Sequence, residues 1–287
     1  MRLGKSLRRH FDGKLILHLH NDWLNTRTKF AKEYKQAYNQ VWTISKFLKK
    51  RVDEIEGNVP VYVLYNGVDT NLFSISAKSE RDIFRNKYGI GPNDIVIANC
   101  CRIVEEKGVL QTIQVFEKIK KCFGSRTLKL LIIGDVSVEN PYIKKVKNAA
   151  SRDVIFTGFV SHDNLPQVMG CADIGIASTI HLNSKYIGSS YDGVIECFNL
   201  TIIEFLSLGI PVIATNSGGM PEIMNLDFKD FIIEARESDF SKSLECALEK
   251  MINQLNFNNL EKESVHSASL FSIDNYINRF YALLEQL

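Results

Sequence analysis

From about residue 90 onward, two kinds of segment alternate along the chain. Short apolar, β-branched runs recur at Ile95–Asn99, Leu128–Ile133, Val154–Thr157, Ile174–Ala177, Val212–Thr215 and Phe231–Ile233. Between them lie longer segments with helical spacing: Gly108–Lys121, Tyr142–Ala150, Asn164–Cys171, Thr201–Leu208 and Phe240–Ile252. In the first of these, Leu110, Ile113, Phe116 and Ile119 fall on one helical face. Nearly all-apolar strands alternating with helices predict a parallel sheet covered on both sides. Six such units make a complete doubly wound domain.

Upstream the same alternation is shorter. Leu3–Phe11 and Thr28–Tyr38 read as helices, and Leu15–Leu19, Val41–Ser45 and Val61–Leu64 as strands. Ser45 is a good N-cap for a helix running to about Ile55. This is about half of a domain. Asn66-Gly67 has the chemistry of a hairpin turn, but no alternating strand follows, so a linker is expected. Phe271–Leu287 reads as an amphipathic helix with Ile273, Tyr276, Ile277, Phe280, Leu283 and Leu284 on one side, a face that must dock on something.

Composition adds limits. With 45% apolar and 24% charged residues the chain is no disordered or low-complexity segment. No apolar run approaches the ~20 residues needed to cross a bilayer, and the basic N-terminus lacks a signal-peptide core. A cytoplasmic protein is expected. The net charge of +2 hides an asymmetry. Residues 1–60 hold 13 Lys/Arg against 6 Asp/Glu, or +7. That suits an anionic membrane surface or ligand, at the inner face of a membrane, or simply a solvated helix face. Nucleic acid is disfavoured, because no basic run is interleaved with aromatics. The six cysteines form no C-x-x-C pair and no zinc-finger spacing, so reduced thiols are expected.

Three loops after strands carry candidate chemistry. Arg102 and Lys107 flank a strand-to-helix turn, where two cations beside a helix N-terminus suit a diphosphate. Glu196 and Glu204 lie eight positions apart across another such loop. There the N–H groups of Phe198, Asn199, Leu200 and Thr201 can cradle a phosphate. Glu204, placed in the first helical turn, can grip ribose hydroxyls or simply complement the helix dipole. Gly218-Gly219 permits close backbone approach to a ligand, or marks a turn.

Taken in order, the motifs resemble the GT-B fold glycosyltransferases of the large retaining group called family 4, or glycosyl transferases group 1. The resemblance rests on seven stretches: Val63-Leu-Tyr-Asn-Gly-Val-Asp69 with Phe73; Arg102-x4-Lys107-Gly108; Leu131-Ile-Ile-Gly-Asp135; Val154-Ile-Phe-Thr-Gly158; Ala172-Asp173; Glu196-x7-Glu204; and Gly209–Ala214 followed by Gly218-Gly-Met-Pro-Glu222. It implies an α/β protein with two Rossmann-like parallel-sheet domains. Residues 1–68 would be an incomplete acceptor-side domain, 69–270 a nucleotide-sugar domain, and 271–287 a helix crossing back.

The resemblance also implies roles. Arg102 and Lys107 would hold the donor diphosphate, Glu204 the ribose and Glu196 the transferred sugar. The amides at 198–201 and the Gly218-Gly219 backbone would lie at the donor. His20, before Asn21-Asp22, would stand near the donor sugar as a further catalytic candidate. No metal or cofactor is expected. The donor is a nucleotide sugar, uridine diphosphate being the commonest base, and the acceptor a saccharide or lipid-linked saccharide in surface polysaccharide or glycolipid synthesis, with retention of configuration.

Three departures stand out. Cys197 and Asn199 replace small residues, and Asn is the non-glycine residue best suited to a left-handed backbone. Thr179–Ile195 is long and reads as a lid, an acceptor contact or a neutral insertion. By the resemblance, the chain would begin inside the acceptor domain, so a non-catalytic donor-binding subunit, an inactive truncated product, or a chain completed by a partner or oligomer are competing expectations.

Overall fold

The β-branched and leucine-rich runs pair side by side into two parallel sheets. The computed structural model describes residues 3–75, 78–123, 127–182, 195–224, 226–254 and 257–287. The first sheet alternates α1 (Leu3–His10), β1 (Ile16–Leu19), α2 (Ala31–Lys35), β2 (Gln40–Thr43), α3 (Lys46–Asp53) and β3 (Val61–Val63), in the order β1-β2-β3. The second part opens with α4 (Lys78–Lys87), then β4 (Ile95–Cys100), α5 (Val109–Ile119), β5 (Leu128–Ile133), α6 (Pro141–Ala149), β6 (Val154–Gly158), α7 (Leu165–Met169), β7 (Ile174–Ala177), α8 (Leu200–Ser207), β8 (Val212–Thr215), β9 (Ile232–Ile233), α9 (Glu237–Gln254) and α10 (Phe257–Ser269). The last helix is α11 (Ile273–Leu284).

The second sheet runs β6-β5-β4-β7-β8-β9, all parallel. Chain order reverses between β4 and β7, which pair from Ile97↔Ile174 to Asn99↔Ile176. Loops leaving the carboxyl ends of these two strands therefore diverge and leave a crevice, the usual ligand position in such sheets. β7 and β8 are buried at every position. α8 is buried from Ile202 to Ser207, lying between the sheet and α10. Gly175 lets α8 approach closely: a Cβ there would meet the Phe205 ring at 2.8 Å.

The two sheets are joined by the last helix. Val68 and Ser272 bridge, with Val68 N donating to Phe271 O and Ile273 N to Val68 O, both at 2.9 Å. Gly67 is required at this crossing, because a Cβ would lie 2.8 Å from Tyr276 Cβ. The apolar face of α11 then covers the first sheet, where Trp42, Leu64 and Leu283 form a small core and Phe280 meets Trp42 edge-on at 5.5 Å.

Several elements differ from the sequence expectation. The helix expected over 28–38 contracts to Ala31–Lys35 and begins after Phe30, whose φ is 61°. α4 and α10 were not expected. α4 docks through ions: Arg81 and Arg85 reach the Asp173 carboxylate at 2.6 and 2.7 Å. Phe84 packs against the core but Ile83 is exposed, so the helix shows no repeating apolar stripe to read. In α10 the fully buried residues are small, Ser264, Ser267 and Ala268, with Leu260 half-buried against the core.

Candidate functional site

The R-x4-K-G turn is built by a hydrogen-bond stack at the crevice. Glu105–Lys107 form one 3-10 turn, and Gly108 follows at φ 62° before α5. A side chain at Gly108 would meet Ser178 O at 2.5 Å, so only glycine fits this left-handed, crowded position. Asn99 Nδ2 donates to Ser178 Oγ at 2.6 Å, and Ser178 Oγ donates to Lys107 O at 2.6 Å. These bonds link Ser178, just after β7, to β4 and to the turn before α5.

Their side chains converge on Glu196. Lys107 Nζ forms an ion pair with Glu196 Oε2 and also donates to Thr179 Oγ1 at 3.3 Å. Thr179 Oγ1 in turn donates to Glu196 Oε2 at 3.1 Å. Both charged side chains are mostly screened from solvent, at 14% and 20% exposure, so each needs the other. The sequence reading placed Lys107 at the diphosphate and Glu196 at the transferred sugar; the structure puts the two side chains in direct contact. An ammonium has three donors, and two of them are engaged here.

The Glu196 backbone is held as well. Gly219 N donates to Glu196 O at 2.9 Å, and Glu196 N donates to Ser217 Oγ at 3.2 Å. Gly218 lies at φ 56°, where a Cβ would sit 2.2 Å from Glu196 O; at Gly219 it would sit 2.1 Å from Cys197 O. The paired glycines therefore seat the Glu196 loop.

The second group lines a neighbouring cleft of about 620 Å³ beside the strand ends. Exposed Arg102 stands on its wall with Leu200, Thr201 and Glu204. α8 begins at Leu200, with Asn199 as N-cap accepting from Ile202 N at 3.3 Å. This corrects two expectations. Asn199 is extended at φ −130°, and capping explains an asparagine there better than a left-handed backbone. Glu204 is the fifth helical residue, beyond the first turn, so dipole compensation does not account for it. It is 9% exposed, and burial pushes its carboxyl up to about 7.

Phe198 turns inward, stacking on Tyr65 (5.8 Å) and meeting the Phe271 ring at a tilt of 59° (5.9 Å). Its side chain seals the junction between the sheets. Glu222 works at the same junction: its carboxylate accepts from Lys46 N and Phe47 N, each at 2.7 Å, and from Tyr65 Oη at 3.0 Å. With Ser45 Oγ accepting from Leu48 N, this caps α3 from both sides of the cleft.

His20 is exposed at the end of β1, its ring 4.4 Å from that of His18. Burial and the His20 charge hold His18 down to about 4. Two residues further on, the Asp22 backbone N–H faces the Cys197 sulfur, and Asp22 pairs with Arg51 Nε at 2.6 Å. The His20–Asp22 loop thus faces the Glu196–Asn199 loop across the junction. Burial pushes Cys101 and Cys197 up to about 12, which disfavours the thiolate at neutral pH. Of the segment read as a lid, residues 183–194 lie outside the described residues.

Sequence reasoning gave Thr179, His181, Ser217, Tyr65 and Glu222 no individual role, although Thr179 and His181 lie in the segment read as a lid or acceptor contact and Tyr65 and Glu222 in the motif stretches. Ser217 and Glu222 stand beside the glycine pair, but the groups they hold lie far away in the chain.

Among the described residues no helix is long and apolar enough to cross a membrane. The family profile described as "Glycosyl transferases group 1" matches residues 80–263. Over 233 residues the chain is 25% identical to the lipopolysaccharide 1,2-N-acetylglucosaminetransferase of Salmonella typhimurium, covering 78% of this chain and 55% of that protein. Over 180 residues it is 26% identical to a GDP-mannose-dependent monoacylated alpha-(1-6)-phosphatidylinositol monomannoside mannosyltransferase of Corynebacterium glutamicum, covering 62% and 45%. Anabaena Alr3699/HepE, solved in complex with UDP, superposes with a TM-score of 0.78 at 20% identity, over 99% of this chain and 77% of that one. The chain spans 50–68% of the length of the first four curated relatives it matches.

Proposed function

The chain belongs to the glycosyl transferases group 1 family, and on that footing we propose that it transfers a sugar from a nucleotide-sugar donor to a saccharide or lipid-linked acceptor. The observation that carries this reading is the Lys107–Glu196 ion pair at the strand-order reversal, next to the cleft that holds Arg102 and Glu204. Arg102, the third ammonium donor of Lys107 and the first-turn amides of α8 supply positive charge for a diphosphate. As the bond to the leaving group breaks, the same charges stabilise the nucleoside diphosphate that departs. Glu204 is placed to accept from ribose hydroxyls, and Glu196 to accept from hydroxyls of the transferred sugar.

This assembly supplies its own cations, so the reading calls for no metal or cofactor. Retention of the anomeric configuration, a UDP-linked donor, a role in surface polysaccharide or glycolipid synthesis, and action at the inner membrane face are finer parts of the proposal. The UDP complex of the HepE neighbour supports the donor base, the lipopolysaccharide and phosphatidylinositol-mannoside enzymes among the relatives support the pathway, the basic first sixty residues support the membrane face, and retention rests on the family resemblance alone.

Calorimetric titration of the full chain with UDP, GDP and UDP-glucose tests donor binding. One of them binds, and Lys107→Ala weakens it about 10–100-fold, the value of one charge-assisted hydrogen bond. Failure of all three to bind, or an unchanged affinity in Lys107→Ala, refutes the reading.

A further inference from the structure

Ser217 and His181 take no part in the reading above, yet they lie directly behind Glu196. Ser217 is fully buried, and its Oγ is 3.2 Å from the Glu196 N–H and 3.0 Å from His181 Nε2. His181 is itself fixed by its backbone: its N–H donates to Ala235 O at 2.6 Å and its carbonyl accepts from Glu237 N at 3.3 Å. We infer that Ser217 and His181 are positioning residues that hold the Glu196 carboxylate in register with Lys107 through the Glu196 backbone. The inference rests on the site reading proposed above for Glu196.

A serine hydroxyl has one proton and two lone pairs. Here the arrangement that satisfies every group has Ser217 O–H donating to His181 Nε2 while Ser217 Oγ accepts the Glu196 N–H. It requires a neutral imidazole with its proton on Nδ1, and burial favours the neutral ring by lowering the His181 pKa. The other side of the Glu196 peptide is held by Gly219 N. Both backbone groups of Glu196 are thus clamped by one turn, which fixes the point from which its side chain reaches Lys107 and Thr179. A displacement of about 1 Å at such a group costs catalysis far more than binding.

The test uses the full chain carrying Ser217→Ala, His181→Phe, the conservative His181→Gln, or Glu196→Gln as reference. Two readouts apply. The first is hydrogen exchange of the Glu196 amide without ligand, which depends on no activity. It rises about tenfold in Ser217→Ala and His181→Phe and stays near the parent in His181→Gln. The second is release of nucleoside diphosphate from whichever of UDP-glucose and GDP-mannose the protein uses. There kcat falls about tenfold in the first two variants with KM within twofold, and His181→Gln restores at least half. Unchanged Glu196 exchange in both Ser217→Ala and His181→Phe overturns the inference, as does full turnover in them where Glu196→Gln is impaired. If Glu196→Gln turns over like the parent, the proposed function fails instead, and amide exchange alone decides the role of Ser217 and His181.

Discussion

Glu204→Gln should make the ligand-free protein more stable while impairing its use of nucleotide. Glu204 is 9% exposed, and burial raises its carboxyl from 4.5 to about 7. The sign follows directly: the folded state binds the proton more tightly than the unfolded one, so this group's contribution is favourable at low pH and is lost as pH rises from about 4.5 through 7. The cost of ionising it in the fold is about 1 kcal/mol at pH 5 and about 3 kcal/mol at pH 8. Glutamine keeps the shape and removes that cost. With an unfolding entropy of roughly 2.1 cal/mol/K per residue, 3 kcal/mol corresponds to a rise in Tm of about 5 °C at pH 8 and under 2 °C at pH 5. Differential scanning calorimetry of parent and variant at both values reads the difference. An offset that is equal at pH 5 and pH 8, or a variant less stable at pH 8, refutes the assignment of a costly buried carboxylate. A group kept at such a cost is a mark of a binding site, and loss of nucleotide affinity in the more stable variant is the companion result.

Two further substitutions probe how the site is held. Glu222→Ala removes the acceptor for two α3 amides and for Tyr65 Oη, and urea unfolding should show a loss of roughly 2–3 kcal/mol, with Glu222→Gln losing less. Gly219→Ala places a methyl 2.1 Å from Cys197 O and 2.9 Å from Ser45 Cβ. It should displace the Glu196 loop and lower nucleoside diphosphate affinity at least about tenfold while far-UV circular dichroism is retained.

Much of this was legible in the chain because the parallel strands are apolar on both faces. The runs at Ile95, Leu128, Ile174 and Val212 are strands in the structure at nearly the expected bounds. The spacing of Arg102, Lys107, Glu196 and Glu204 could also be read, since strand-to-helix loops fix where their side chains emerge. What could not be read depends on tertiary partners. α4 is held by Arg81 and Arg85 on Asp173, so its own pattern is polar. Asn199 looked like a substitute glycine, but the helix it caps begins one residue earlier than expected. Nothing local marks Glu222 as the cap of a helix some 175 residues upstream, or Ser217 as the support of Glu196. These contacts arise only when distant strand ends meet.

The central claim, sugar transfer from a nucleotide donor, is tested most directly with radiolabelled nucleotide sugars and a membrane lipid extract. The parent chain should move label from donor into the lipid or saccharide fraction with matching release of nucleoside diphosphate, and Glu196→Ala and Lys107→Ala should each lower that transfer at least about a hundredfold. Donor binding with no transfer by the parent, or transfer that survives both substitutions, would contradict it.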